Sequence, residues 1–298
     1  MIVPVRLFAA AAEALGPHAQ VEVPAPTTVG AVRDALIAAH PEHAALLRQC
    51  SLALDREIVL PDAPVPEGAE VALLPPFAGG SHEPARGRDP AGGPEHRRGP
   101  DTPGGSPTEA DGPHQDRDPH EAAGPRTIID VREPPLPVAE VLDALADPGA
   151  GGHVVFLGTV RDHSAASGSV AQLAYSAYEE MAREVLAAIA RELATTWPAL
   201  RGIALVHSVG ALEVGDHTVL VVTSAAHRED AYAANRRALE ELKARVPVWK
   251  HERDAQGAAR WVGLDATAQP DQGTTARPDQ DAAAQPEQGP AAQPREPR

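Results

Sequence analysis

LLPPFAGG, residues Leu73 to Gly80, decides how this chain is divided. Leu73 and Leu74 close an apolar run, EVALL, that reads as a strand. Pro75 and Pro76 then end ladder pairing, because proline has no N–H to donate. Two glycines, Gly79 and Gly80, close the stretch. The stretch has the form of a domain's end, yet the chain runs on to Arg298.

Composition on either side supports a division there. Between Ser81 and Pro125 there is no Val, Ile, Leu, Met, Cys or aromatic residue, but there are nine prolines and eight glycines. Residues 265–298 also lack large apolar side chains and repeat AQPDQG, ARPDQD, AQPEQG and AQPREP every eight residues. Neither segment has the apolar surface to offset the entropy of ordering, so 81–125 is expected to be a disordered linker and 265–298 a disordered tail. Two globular domains remain, 1–80 and 126–264. His82, His96, His114 and His120 are scattered through the linker without ligand spacing, and no metal site is expected.

A net charge of −16 argues against a nucleic-acid partner. One cysteine, Cys50, excludes an intrachain disulfide and suits a reducing compartment. MIVPVRLFAAAAEALG contains neither a signal peptide pattern nor a membrane span, so the chain is expected in the cytoplasm.

In the first domain IVPVRLF reads as a strand, AAAAEALG as a short helix closed by Gly16, and QVEVP as a second strand. TTVGAVRDALIAAHP reads as a helix capped by Thr28, with Val29, Val32, Leu36 and Ile37 on one face. SLALD, REIVL and EVALLPP complete a small β-grasp pattern. In the second domain HVVFLGTV reads as a buried strand. MAREVLAAIARELATTW is an amphipathic helix, with Met181, Val185, Ile189 and Leu193 at four-residue steps. GIALVHSVG and HTVLVVTSAAH are strands, and EDAYAANRRALEELKARV is a helix ended by Pro247. The whole is an α+β chain whose second domain is α/β.

Polar residues gather where these elements end. Arg161 follows FLGTV. His227 and Arg228 precede the last helix, where free backbone N–H groups favour an anion. Lys243 lies near that helix's end and Lys250 follows VPVW. Together they suit a phosphate-binding site with proton-transferring amines. Taken singly, Lys243 reads more readily as a complement to the helix C-terminus, and Lys250 as a solvated charge, than either does as a catalytic group.

The motifs carry a resemblance. MIVPVRLFAAAAEALG and LLPPFAGG resemble the small, ubiquitin-like sulfur-carrier subunit of molybdopterin synthases. FLGTVRDHS, LAYSAYEEMA, VHSVGALEVGD, TSAAHREDAY, LKARVPVWKHE and RWVG resemble the large catalytic subunit of the same family. The resemblance implies a fusion of an N-terminal ubiquitin-like carrier with an α/β hammerhead-like catalytic domain. It further implies sulfur transfer from a thiocarboxylate on Gly80 to cyclic pyranopterin monophosphate, forming the dithiolene of molybdopterin in molybdenum cofactor biosynthesis.

By the matching motifs, Lys243 and Lys250 would be the catalytic pair, with Lys250 nearest the chemistry. Thr159, Val160, Arg161, His227, Arg228, His251 and Glu252 would bind substrate, and Gly79-Gly80 would be the sulfur-carrying end. The implied partners are the pterin phosphate, an enzyme that adenylates and sulfurates the carrier, and a second copy of the catalytic domain. No cofactor is implied for the synthase itself. Two positions depart from the family pattern: His207-Ser208 stands where HR is usual, so that Ser208 replaces the arginine, and Ser176 stands where Glu is common.

A thiocarboxylate needs a free carboxyl, but Gly80 is joined to Ser81. The chain is therefore expected to be a precursor cut after Gly80 by a protease, giving a heterotetramer-like assembly. A rival reading has a ubiquitin-like carrier tethered to a non-catalytic phosphate-ligand-binding domain, and gives no role to the two lysines.

Overall fold

The computed structural model describes residues 1–77, 124–164 and 168–264. Gly79 and Gly80, the linker up to residue 123 and the tail from residue 265 lie outside the described residues.

The first domain contains β1 (Ile2–Leu7), α1 (Ala9–Leu15), β2 (His18–Glu22), α2 (Val29–Ala39), α3 (Ala44–Gln49), β3 (Ser51–Leu54), β4 (Glu57–Val59) and β5 (Val71–Leu74). Strict alternation in IVPVRL buries Val3, Val5 and Leu7 on one face of β1. That face packs on Val29, Val32 and Leu36 of α2. The Thr28 hydroxyl caps α2, accepting from the Ala31 N–H at 3.2 Å. Asp55 and Arg56, both at positive φ, make the two-residue turn of the β3–β4 hairpin. The sheet order β2-β1-β5-β3-β4, with β1 and β5 parallel at its centre, is a β-grasp. α3 was not expected: its six residues are too few to display a period. Cys50 is a core residue whose thiol donates to the Leu46 carbonyl, and burial pushes its pKa up to about 12.

The second domain contains β6 (Arg126–Arg132), α4 (Val138–Ala144), β7 (Gly152–Thr159), β8 (His163–Ser164), β9 (Gly168–Ser169), β10 (Gln172–Ala177) and α5 (Glu179–Thr196). It continues with β11 (Leu200–Ser208), β12 (Gly210–Leu212), β13 (His217–Ala225), α6 (Arg228–Arg245), β14 (Val248–Arg253) and β15 (Ala259–Trp261). One sheet runs β6-β11-β13-β7. Helices α5 and α6 cover one face, with Leu186, Ile189, Ala234 and Leu242 against Ile203, Leu205 and Val221. Leu145 and Val141 cover the other, against Ala204, Val206, Leu220 and Val222.

The reading of HVVFLGTV as a buried strand is corrected. Among the described residues β7 is an edge strand paired with β13 alone, and Val155 is exposed. An apolar run does not by itself distinguish a central strand from an edge strand with one covered face. Gly158 in β7 has no room for a side chain, since a Cβ there would lie 2.7 Å from the Thr218 hydroxyl.

The second sheet, β12-β10-β14-β15, separates two environments. Alternation along β14 sends Trp249 and His251 to one face and Lys250 and Glu252 to the other. The first domain seats on the Trp249 face. Phe8 stacks on Tyr178 at 4.6 Å and on Trp249 at 5.3 Å between ring centres, and Phe77 meets Trp249 edge-on at 6.1 Å. The Trp249 indole N–H donates to the Pro75 carbonyl at 2.8 Å. Polar contacts surround this aromatic centre. Arg6 lies over the Tyr178 ring, the Tyr178 hydroxyl donates to Glu70 at 2.5 Å, and Arg56 pairs with Glu184 at 3.2 Å. On the far side the Trp261 N–H donates to Glu13 at 2.7 Å, and Leu264 joins the first domain's core.

Candidate active site

On the opposite face of β10 and β14 lies a cleft of about 590 Å³. Its walls come from several elements. β7 and the turn after it supply Thr159, Val160 and Arg161; β10 supplies Tyr175; β11 supplies His207; the last turn of α6 supplies Lys243; and β14 supplies Lys250 and Glu252. Lys243 is placed there because Pro247 stops α6 just beyond it and turns the chain into β14. Two amines from adjoining elements thus face one cavity.

Their surroundings differ. Lys250 pairs with Glu252, whose side chain is fully buried, and the Ser164 hydroxyl donates to the second Glu252 oxygen at 2.6 Å. Lys243, beside Leu242 and Val246, has no carboxylate within ion-pair distance among the described residues. Tyr175 sits across the strand pair from Lys250. Burial first, and the Glu252 charge second, push its phenol up to about 12, so it stays neutral. His207, buried at the cleft floor, donates Nδ1–H to the Ser208 carbonyl at 2.7 Å and meets Tyr175 edge-on. Burial lowers its pKa to about 4, which leaves a neutral imidazole with Nε2 as acceptor.

Of the residues expected from the sequence, Thr159, Val160, Arg161, Lys243, Lys250 and Glu252 meet in the cleft. Three do not. His251 lies on the Trp249 face of β14, stacked on Trp261 at 4.6 Å, because neighbouring strand residues point to opposite sides. Its Nε2 is buried with no hydrogen-bond partner among the described residues, and burial lowers its pKa. His227 and Arg228 are exposed at the N-terminus of α6. Fifteen residues of helix put them about 22 Å from Lys243. Tyr175 and His207 were missed, although each is a polar-tipped residue inside an apolar strand run. The two departures from the family pattern both fall outside the cleft lining. Ser208 is buried and donates to the His217 carbonyl, and Ser176 pairs across the strands with Trp249.

Comparison with known proteins agrees with this division. Residues 131–245 match the family described as MoaE protein, and residues 5–80 match the ThiS family. The chain is 38% identical over 143 residues to the molybdopterin synthase catalytic subunit of Halalkalibacterium halodurans, covering 47% of this chain and 90% of that protein. It is 42% identical over 129 residues to molybdopterin synthase catalytic subunit 1 of Mycobacterium tuberculosis, covering 43% and 86%. The chain belongs to the molybdopterin synthase family. A crystal structure of molybdopterin synthase from Staphylococcus aureus is 33% identical, with a TM-score of 0.43, covering 46% of this chain and 97% of that one. In molybdopterin synthase terms the second domain is the catalytic subunit, a sulfur-transferring enzyme of molybdenum cofactor biosynthesis, and the first is a ThiS-type sulfur carrier. The non-catalytic rival is not favoured.

Proposed function

We propose that this chain makes molybdopterin from cyclic pyranopterin monophosphate, using its own first domain as the sulfur donor after cleavage at Gly80. The observation that carries the reading is the seat of Pro75 and Phe77 on Trp249, the residue beside Lys250. Three extended residues after Phe77 span at most about 10 Å, and the reading requires Gly80 to enter the cleft within that length. Arg161 and Lys250 bind the pterin's phosphate. The Gly80 thiocarboxylate sulfur attacks a pterin side-chain carbon that carries oxygen, the C–O bond at that carbon breaks, and the lysines protonate the departing oxygen. Water then hydrolyses the acyl–sulfur link, leaving sulfur on the pterin and a carboxylate on Gly80. A second carrier repeats the step. Sulfur, acceptor and proton carriers are all accounted for, so the reading calls for no cofactor.

His227 and Arg228 are then the contribution of a second copy of the catalytic domain, since their own lysines lie a helix length away. The carrier would be adenylated and sulfurated by a separate enzyme, and a protease would free it. The test is to cut the chain after Gly80, convert the new carboxyl to a thiocarboxylate, add the cyclic pterin phosphate and assay the dithiolene. Product from the cut, sulfurated protein and none from the uncut chain is expected. Equal product from the uncut chain overturns the precursor reading.

A further inference from the structure

The Lys250–Glu252 pair does not stand alone. Ser164 of β8, 88 residues before Glu252, closes the arrangement. One Glu252 oxygen meets Lys250 and the other accepts from Ser164 at 2.6 Å. A glutamate's terminal torsion is broad and weakly held by itself. With both oxygens engaged in charge-assisted hydrogen bonds, its rotation is fixed, and so is the direction from which it holds the ammonium.

Ser164 is itself well anchored. It ends β8, in the two-residue-per-strand hairpin with β9, and its neighbour His163 lines the cleft. The hairpin's base is tied by the Val170 N–H to the Asp162 carbonyl at 2.8 Å, and by the Ala171 N–H to the Arg253 carbonyl at 2.9 Å. Arg161, a cation of the cleft lining, is three residues before Ser164. One hydroxyl therefore links the segment that carries Arg161 to the carboxylate that carries Lys250.

We propose that Ser164 is a positioning residue for sulfur transfer: through Glu252 it fixes the Lys250 ammonium relative to Arg161. It touches neither substrate nor carrier and acts through the carboxylate. Glu252, expected from the sequence to bind substrate, is in this account a holder of Lys250, since both its oxygens are committed within the protein. Only the kinetic arm of the test rests on the molybdopterin synthase reading above.

The experiment compares Ser164→Ala and Ser164→Thr with the parent protein by two measurements. The first is the acetylation rate of Lys250 under limiting acetic anhydride, read by peptide mass spectrometry with Lys243 as internal reference. The second is single-turnover sulfur transfer from the cut, thiocarboxylated protein. Loss of one hydrogen bond to a charged group predicts roughly a tenfold fall in the transfer rate, with the concentration dependence on pterin unchanged within about twofold. Lys250 labelling should rise severalfold relative to Lys243, and Ser164→Thr, which keeps the hydroxyl, should restore both values. If Ser164→Ala labels Lys250 at the parent's rate, the inference is overturned whether or not the protein makes molybdopterin. A parent that labels as expected but yields no product overturns the function reading instead. Should Ser164→Ala not fold, Ser164→Cys, close in shape but a weaker donor, takes its place under the same criteria.

Discussion

Trp249 and Lys250 are consecutive in β14 and face opposite sides of one sheet, the indole against the carrier domain and the ammonium in the catalytic cleft. The period of a strand thereby puts carrier recognition and chemistry one residue apart. Docking and catalysis share a single rigid element, and each can be disturbed without the other.

Trp249 is the centre of the docking surface, buried between Phe8 and Phe77 with its N–H on the Pro75 carbonyl. Truncating a buried aromatic costs about 3–5 kcal/mol. Trp249→Ala should therefore weaken binding of a separate 1–80 domain to the 126–264 domain by more than about a hundredfold. Trp249→Phe keeps the stacking and loses one hydrogen bond, and should cost about tenfold or less. Calorimetric titration of one domain with the other distinguishes the two. Similar losses from both variants would assign the binding to the hydrogen bond instead of the ring.

Much of the secondary structure was legible in the sequence, because strand alternation and four-residue steps are local signals. IVPVRL, the α5 period, the α6 helix before Pro247 and the Thr28 cap all appear as read. β6 and α4 were not foreseen, since EPPLP interrupts the pattern between them. The inclusion of His251 in the site failed for a different reason. Motif membership gives no face, whereas alternation within VWKHER does. The Ser164–Glu252 link lies beyond any local signal, being a product of topology.

Glu252 is buried and its charge is balanced by Lys250. Removing one member of a buried pair strands the other, at about 3 kcal/mol or more. Lys250→Ala should thus unfold at markedly lower denaturant, while Lys250→Ala combined with Glu252→Gln regains most of the loss. Both should remain without sulfur-transfer activity. Urea unfolding of the two variants checks the pairing: equal midpoints would mean that Glu252 finds other compensation.

His207 ties stability to pH. Its folded pKa of about 4 lies below the ordinary 6.5, so the folded state prefers the neutral ring. The associated stability is present above pH 6.5 and is lost as pH falls toward 4. Linkage gives a loss of about 2 kcal/mol between pH 7 and pH 5 from this group. His207→Gln, which does not titrate there, should lose that much less over the same interval. Denaturant titrations of both proteins at the two pH values measure the difference, and parallel losses would show that His207 titrates normally.

His227 and Arg228 start α6 and Lys243 ends it, so one copy of the helix does not bring them to one substrate. If a second copy supplies the pair, sites become composite and two defective proteins repair each other. Arg228→Ala and Lys250→Ala should each be nearly inactive alone. Mixed by unfolding and refolding together, half of random dimers are hybrids, and each hybrid holds one intact site beside one doubly defective site. Activity should then recover to about a quarter of the parent level at equal total protein. Recovery to that level assigns Arg228 to the neighbouring copy's cleft. Absence of recovery, with hybrids verified by native mass spectrometry, would return Arg228 to the surface charges of its own helix.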